Sequence, residues 1–181
     1  MKWKDVEDEK YSFLYRNGYP VGRPMRSIKM FNIPKNLSCI DLGCGRGTLS
    51  SYFDNYTGVD ISSYIIEHNK KNRKGNYIHA SLDDLSIITD HYDIAICSDV
   101  MEHIPENHVE SVLKSISKLS VDSYYFTIST RKSVILDRDK NNLHLTVWNS
   151  EDWRKIISKY FSISNEECLT SLYTIKCTQK K

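Results

Sequence analysis

The sequence predicts an α/β fold: a mostly parallel sheet of seven strands, helices on both faces and an antiparallel hairpin at the end. Three observations lead there. Short apolar runs of strand length alternate with stretches of helical period through most of the chain, the pattern of a parallel sheet wound with crossover helices. The stretch Leu37–Ser62 reads as strand, glycine loop, helix, strand and acid. The last two apolar runs, Phe161–Asn165 and Leu172–Thr178, follow one another with no room for a helix between them, so they pair as a hairpin.

The elements follow in order. Residues 4–17 carry Tyr11, Leu14 and Tyr15 on one helical face, with Gly18 as a stop. Tyr19-Pro20-Val21-Gly22 is a turn, and a short helix runs from Pro24 to Phe31. Residues 1–35 are expected to lie as a helical cap over a ligand pocket, with Trp3, Tyr11, Tyr15 and Tyr19 available either to line it or to pack the core. The first strand is Ser38–Leu42; a helix carrying Leu49, Tyr52 and Phe53 follows the glycine loop, and Thr57–Ile61 is the second strand. Ser62 caps a helix that reaches Asn72, and Asn76–Ala80 is the third strand. Tyr92–Cys97 is continuous and apolar, as a buried parallel strand should be. Asn107–Leu119 is amphipathic, and Ser123–Ile128 is strand five. Residues 129–147 form a polar connection too long for a turn, a length that usually carries function. The last helix spans Ser150–Tyr160, capped by Ser150, with Trp153 inward and Trp148 either packing it or lining a pocket.

At 181 residues the chain is expected to form one domain, 1–181, with a full core. A formal charge of +2 implies no general nucleic-acid-binding field. The basic run Lys70-Lys71-Asn72-Arg73-Lys74 suits a helix end and reads as a solvated face. Five scattered cysteines without a C-x-x-C pair describe a reduced, cytoplasmic protein without a structural zinc site. The polar N-terminus argues against a signal peptide, and no run approaches membrane-spanning length.

The glycine loop, Asp41-Leu42-Gly43-Cys44-Gly45-Arg46-Gly47, narrows the ligand. Glycines admit a tight turn and let a ligand reach bare backbone, while the free N–H groups opening the next helix favour an acidic group. Asp60 can accept both hydroxyls of a ribose. A dinucleotide loop would need glycine where Thr48 stands, and a carboxylate at Asp41 would repel a diphosphate. The same acid suits an ammonium and a sulfonium. D-x-G-x-G-x-G in this context resembles motif I of the class I S-adenosylmethionine-dependent methyltransferases, whose fold is Rossmann-like. The resemblance implies S-adenosylmethionine as cofactor, held by Asp41, Gly43, Gly45, Gly47, Asp60 and Ile61.

A second resemblance covers Cys97-Ser98-Asp99-Val100-Met101-Glu102-His103-Ile104-Pro105. It is similar to the C-x-E-x-x-E-H-(I/V)-P segment of the ubiquinone-biosynthesis O-methyltransferases, with Asp99 in place of the first glutamate. Small-RNA 2′-O-methyltransferases carry a related segment with a histidine downstream, where this chain has His144. Those families imply a divalent cation, Mg²⁺, Mn²⁺ or Zn²⁺, on Asp99, Glu102 and His103, a mixed oxygen and nitrogen set suited to such ions. Many methyltransferases with the same Glu-His pair use no metal, so both readings stand. The ubiquinone group further implies Arg26, with Arg23 as its neighbour, on the cofactor carboxylate, and the Ser98 backbone on the methionine moiety. Where relatives often hold adenine with an aspartate, this chain has Ser81, which leaves the Leu82 backbone or Asp83 to do so; Asp83 and Asp84 equally suit a helix start.

The expected activity is methyl transfer to a hydroxyl of a small molecule or sugar. His103 is the first candidate base and His144 the second, because an imidazole near its ordinary pKa suits that proton transfer. An RNA 2′-hydroxyl acceptor is the alternative within the class, opposed by the balanced charge. A non-catalytic cofactor-binding module is the alternative outside it. A nicotinamide-dependent oxidoreductase fails on Thr48 and Asp41.

Overall fold

A computed structural model of the protein describes residues 3–20 and 22–180; Val21, in the expected turn, lies outside them. The strands are β1 Ser38–Leu42, β2 Asn55–Asp60, β3 Asn76–His79, β4 Tyr92–Ser98, β5 Val121–Ser129, β6 Phe161–Leu169 and β7 Leu172–Gln179. The helices are α1 Trp3–Arg16, α2 Met25–Phe31, α3 Ser63–Asn72, α4 Glu106–Ile116 and α5 Ser150–Ile157. The sheet order is β3-β2-β1-β4-β5-β7-β6. Pairings from β3 through β5 are parallel, and β7 inserts antiparallel between β5 and β6. This is the expected Rossmann-like sheet with its terminal hairpin.

Period-two alternation divides the side chains between two cores. Ile40 and Leu42 of β1, Ala95 and Cys97 of β4, and Tyr124, Phe126 and Ile128 of β5 face the apolar stripes of α4 and α5. Cys39, Ile94, Ile96 and Tyr125 face the other way, onto Ile28 of α2, Leu49, Phe53 and Ile66. The chain order reverses direction beside β1, so the C-terminal ends of β1 and β4 open the crevice where such sheets take ligands.

Two expectations about helices are corrected. No α-helix follows the glycine loop: Thr48–Ser51 is one 3-10 turn. β2 starts at Asn55, earlier than expected, which leaves too little chain for an α-helix. The hydroxyls of Ser50 and Ser51 also donate to the carbonyls of Gly47 and Thr48 at 2.7 and 2.9 Å, tightening the turn. The last helix is capped by Asn149 rather than Ser150: its side chain accepts the Asp152 N–H at 2.9 Å, and Ser150 is already helical. Replacing Asn149 with alanine should cost about 1 kcal/mol, a fall of roughly 2–4 °C in melting temperature by scanning calorimetry. An unchanged melting temperature would show the cap to be idle.

The connection after β5 contains one isolated bridge, Leu136 with Asn142. It is sewn onto the segment after β4. Leu145 and Thr146 donate their N–H groups to the Glu102 carbonyl at 2.8 and 3.0 Å, and the Thr146 hydroxyl donates to the Ile104 carbonyl at 2.7 Å.

Candidate active site

The crevice has two joined halves. The first is a cleft whose walls include Tyr11, Tyr15, Gly43, Asp60, Ile61 and Leu82. Helix α1 covers it, contributing Trp3, Glu7, Tyr11 and Tyr15. Gly43 ends β1 with φ of +77°, and a Cβ there would stand 2.4 Å from Val100 Cγ2, so only glycine lets the two loops touch. The loop amides are largely spent within the protein. Gly43 and Cys44 donate to the Val59 carbonyl at 2.8 and 2.9 Å, Gly47 to the Cys44 carbonyl at 2.9 Å, and Gly45 to Asp60 Oδ2 at 2.9 Å. The expectation of free N–H groups opening a helix therefore fails for these positions, since they close the loop onto β2.

Asp60 is 5% exposed and also accepts the Ser62 N–H at 2.9 Å. Burial pushes its carboxyl up to about 6, opposed by those two N–H bonds. Asp41 lies beneath the loop and accepts the Tyr56 hydroxyl at 2.7 Å; burial raises it to about 7. The Tyr11 hydroxyl and Ser81 Oγ are buried without a partner, and both residues line this cleft. Buried polar atoms left open in a cavity are what a polar ligand satisfies. Leu82 lines the cleft, whereas Asp83 does not: it forms an ion pair with Lys4 of α1 at 3.0 Å.

The second cleft includes Asp41, Gly43, Gly45, Ser98, Asp99, His103 and His144 in its walls. Arg23 lines it and clasps Asp99, with the guanidinium Nε 3.0 Å from Oδ1 and the backbone N–H 2.5 Å from Oδ2. Asp99 holds a left-handed φ of 55°, and Arg23 neutralises its charge. Arg26, expected at the cofactor carboxylate, is turned away by the helix it sits on and pairs with Glu167 of β6. The Ser98 hydroxyl donates to the Arg23 carbonyl at 3.2 Å.

Glu102, His103 and His144 come together, each offering one ligand atom within 4.8 Å of the others. Asp99 is outside this trio, held by Arg23. The imidazoles of His103 and His144 stand edge to face, 4.8 Å between centroids. Each donates Nδ1–H to a carbonyl, His103 to Leu143 at 2.9 Å and His144 to Arg131 at 2.5 Å, which leaves Nε2 as the nitrogen with the lone pair. Burial, then the neighbouring His144, lowers His103 to about 4, which corrects the expectation of an imidazole near its ordinary pKa. His144 is lowered as well, mainly by burial. Glu102 is fully buried behind them. Its Oε1 accepts the Ser129 N–H at 3.0 Å, its Oε2 has no partner, and burial raises it to about 8, helped by Asp99.

Sequence reasoning missed several contributors. Arg46 donates from Nε and a terminal nitrogen to the carbonyls of Tyr19 and Tyr15 at 3.2 and 3.1 Å, pinning α1 over the loop. The carbonyls that set both histidine tautomers belong to Leu143 and Arg131, and a backbone group leaves no residue signature. Tyr11 lines the cleft, as one of the two expectations for it has it, and the fold sets its ring edge-on to His103, 5.9 Å between centroids.

Comparison with known proteins places this architecture. A family model described as a methyltransferase domain matches residues 21–165. A curated relative, the ubiquinone biosynthesis O-methyltransferase of Hydrogenovibrio crunogenus, is 26% identical over 142 residues, 73% of this chain. The aligned part spans only 56% of that relative's length. The 1,6-didemethyltoxoflavin-N1-methyltransferase of Burkholderia thailandensis, solved with its substrate and S-adenosylhomocysteine, superposes with a TM-score of 0.74 at 14% identity, covering 99% of this chain and 90% of that one. The magnesium protoporphyrin IX methyltransferase of Synechocystis PCC 6803, solved with bound S-adenosylhomocysteine, gives 0.71 at 16% identity, covering 98% and 99%. At these identities the superpositions speak for the fold.

Proposed function

The chain belongs to the methyltransferase-domain family, of the class that draws its methyl group from S-adenosylmethionine, and from that premise we propose that it methylates a hydroxyl of a small molecule or sugar. The observation that carries the choice of a hydroxyl is the pair of imidazoles in the cleft wall, both neutral, both with Nδ1–H committed and Nε2 free. An amine acceptor arrives with its own lone pair, whereas a hydroxyl must lose a proton as its oxygen bonds to carbon.

The donor supplies an activated methyl on a positively charged sulfur that leaves as a neutral thioether. The cleft at Asp60, Ile61 and Leu82, with the open Tyr11 and Ser81 hydroxyls, fits its adenosine end. Asp60 would accept the ribose hydroxyls. As the acceptor hydroxyl takes the methyl group, Nε2 of His103 or His144 would take its proton. Tyr11, Tyr15 and Tyr19 wall the reacting atoms from water.

One observation favours a cation-assisted form of the same reaction. Glu102 Oε2 is buried and orphaned beside two imidazole lone pairs, a ready ligand set. Glu102, His103 and His144 would hold a divalent cation, which would lower the pKa of a hydroxyl bound to it.

The test is transfer of labelled methyl to matched hydroxyl, amine and thiol acceptors, with and without chelator. Methyl recovered in ether linkage is the expected outcome; methyl on nitrogen alone would overturn the hydroxyl reading. Metal binding has its own readout. Because Glu102 keeps its proton to about pH 8, binding Mn²⁺ or Zn²⁺ at pH 7 should release about one proton, measured by calorimetry in buffers of different ionisation heat. No heat and no proton release would remove the cation from the mechanism.

A further inference from the structure

The second cleft has three arginines in its walls, Arg23, Arg46 and Arg131. Two of them are spent. Arg23 is neutralised by Asp99, and Arg46 donates to the carbonyls of Tyr15 and Tyr19 while lying 5.8 Å from the Tyr15 ring centroid. The remaining acid of that wall, Asp41, is buried under the loop with its Tyr56 partner. The Arg131 guanidinium has neither a carboxylate nor a hydrogen-bond partner among the described residues.

The backbone that carries Arg131 is also held in place. Its carbonyl accepts the His144 Nδ1–H, so its backbone is one hydrogen bond away from the imidazole pair. The chain just beyond is braced by Asn142, which accepts the Ser133 N–H at 3.1 Å and donates to the Ser133 carbonyl at 3.0 Å. Val134, 81% exposed, and Ile135 continue the same wall. An unpaired, solvent-exposed cation on a braced loop beside the proposed reaction centre, next to an apolar lip, is a receptor for an amphiphilic anion. Guanidinium binds carboxylate and phosphate with two parallel hydrogen bonds, which orients as well as attracts.

We propose that Arg131 is a specificity-determining residue that selects an acceptor bearing a carboxylate or phosphate near its hydroxyl, with an apolar body lying against Val134 and Ile135. The inference rests on the hydroxyl-methylation reading and names the acceptor class for it.

The experiment compares a dihydroxybenzoate, its neutral methyl ester and the matching dihydroxyaryl phosphate, in the protein and in Arg131→Ala, Arg131→Lys and Lys132→Ala. Lys132 is the adjacent exposed cation and is outside the cleft wall. The protein should show a KM at least tenfold lower for one or both anions than for the ester. The Arg131→Ala variant should erase that ratio, with its loss in KM and not kcat; Arg131→Lys should restore part of it, and Lys132→Ala should leave it intact. Carboxylate and phosphate arms tell which anion is meant. Calorimetry of the same compounds on cofactor-saturated protein reads the ratio even if none is methylated, which separates failure of this proposal from failure of hydroxyl methylation. A ratio unaffected by Arg131→Ala, or weakened S-adenosylmethionine binding in that variant, would overturn it, the latter by assigning Arg131 to the cofactor's carboxylate.

Discussion

Replacing Glu102 with glutamine is expected to raise the melting temperature at pH 8 by roughly 8–16 °C and, in the cation-assisted form of the reaction, to cut methyl transfer by at least about 100-fold. The stability gain comes from the buried carboxyl, the activity loss from removing a cation ligand. In the folded protein burial holds the Glu102 proton to about pH 8, whereas the unfolded chain releases it near the ordinary glutamate value. Between those limits the folded state binds more protons, so stability falls as pH rises. Glutamine does not titrate, and its Oε1 still accepts the Ser129 N–H. The gain should be absent at acid pH, open from the mid-fours upward and level off above pH 8, at about 4–5 kcal/mol. His103 runs the opposite way. Its folded pKa of about 4 means that the unfolded state binds more protons below the ordinary histidine value, so its contribution falls as pH drops from about 6.5 towards 4. Melting curves of wild type and Glu102→Gln from pH 5 to pH 9, beside a transfer assay, check both halves. A gap that does not vary with pH would show that Glu102 is not held protonated. Lost activity in a more stable protein could not be blamed on unfolding.

Replacing Asp60 with asparagine should weaken S-adenosylmethionine binding by about 100-fold, close to 3 kcal/mol. One carboxylate oxygen takes the Gly45 N–H and the other the Ser62 N–H, so an amide nitrogen in either place faces a donor with a donor. The glycine loop loses its tie to β2 at the point where the ribose would be gripped. The same logic gives wild type a pH dependence. Below about pH 6 Asp60 takes up a proton, exchanges charge-assisted acceptance for a neutral group, and affinity should drop. Isothermal calorimetry of both proteins between pH 5 and pH 8 decides it; equal affinity across the series would detach Asp60 from the cofactor. Scanning calorimetry guards the reading, since loss of the loop bond alone should cost only about 1–2 kcal/mol of stability.

Much of this was open to reading in the residues. β1 is expected at Ser38–Leu42 and lies there, because the six residues between polar Asn36 and Gly43 admit one short strand. The Ser62 cap is formed as expected, accepting the Ile65 N–H at 3.3 Å. What escaped reading depends on contacts distant in sequence. Leu49 and Phe53 have helical spacing, yet the early start of β2 allowed only a 3-10 turn. Arg23 and Arg26 are equivalent in local sequence; whether one reaches Asp99 and the other Glu167 depends on how α2 docks on the sheet.

By itself the sequence determined the sheet, the glycine loop with Asp41 and Asp60, and the Glu102-His103 pair, because periodicity, φ > 0 and charge are properties of neighbouring residues. Tertiary structure alone decided which of these groups meet. It brought His144 against His103 by stitching residues 143–146 onto the turn after β4, gave both imidazoles one tautomer, and diverted Asp99 to Arg23. It also set the proton affinities of Asp41, Asp60 and Glu102, since desolvation exists only once the chain has closed around a carboxyl group.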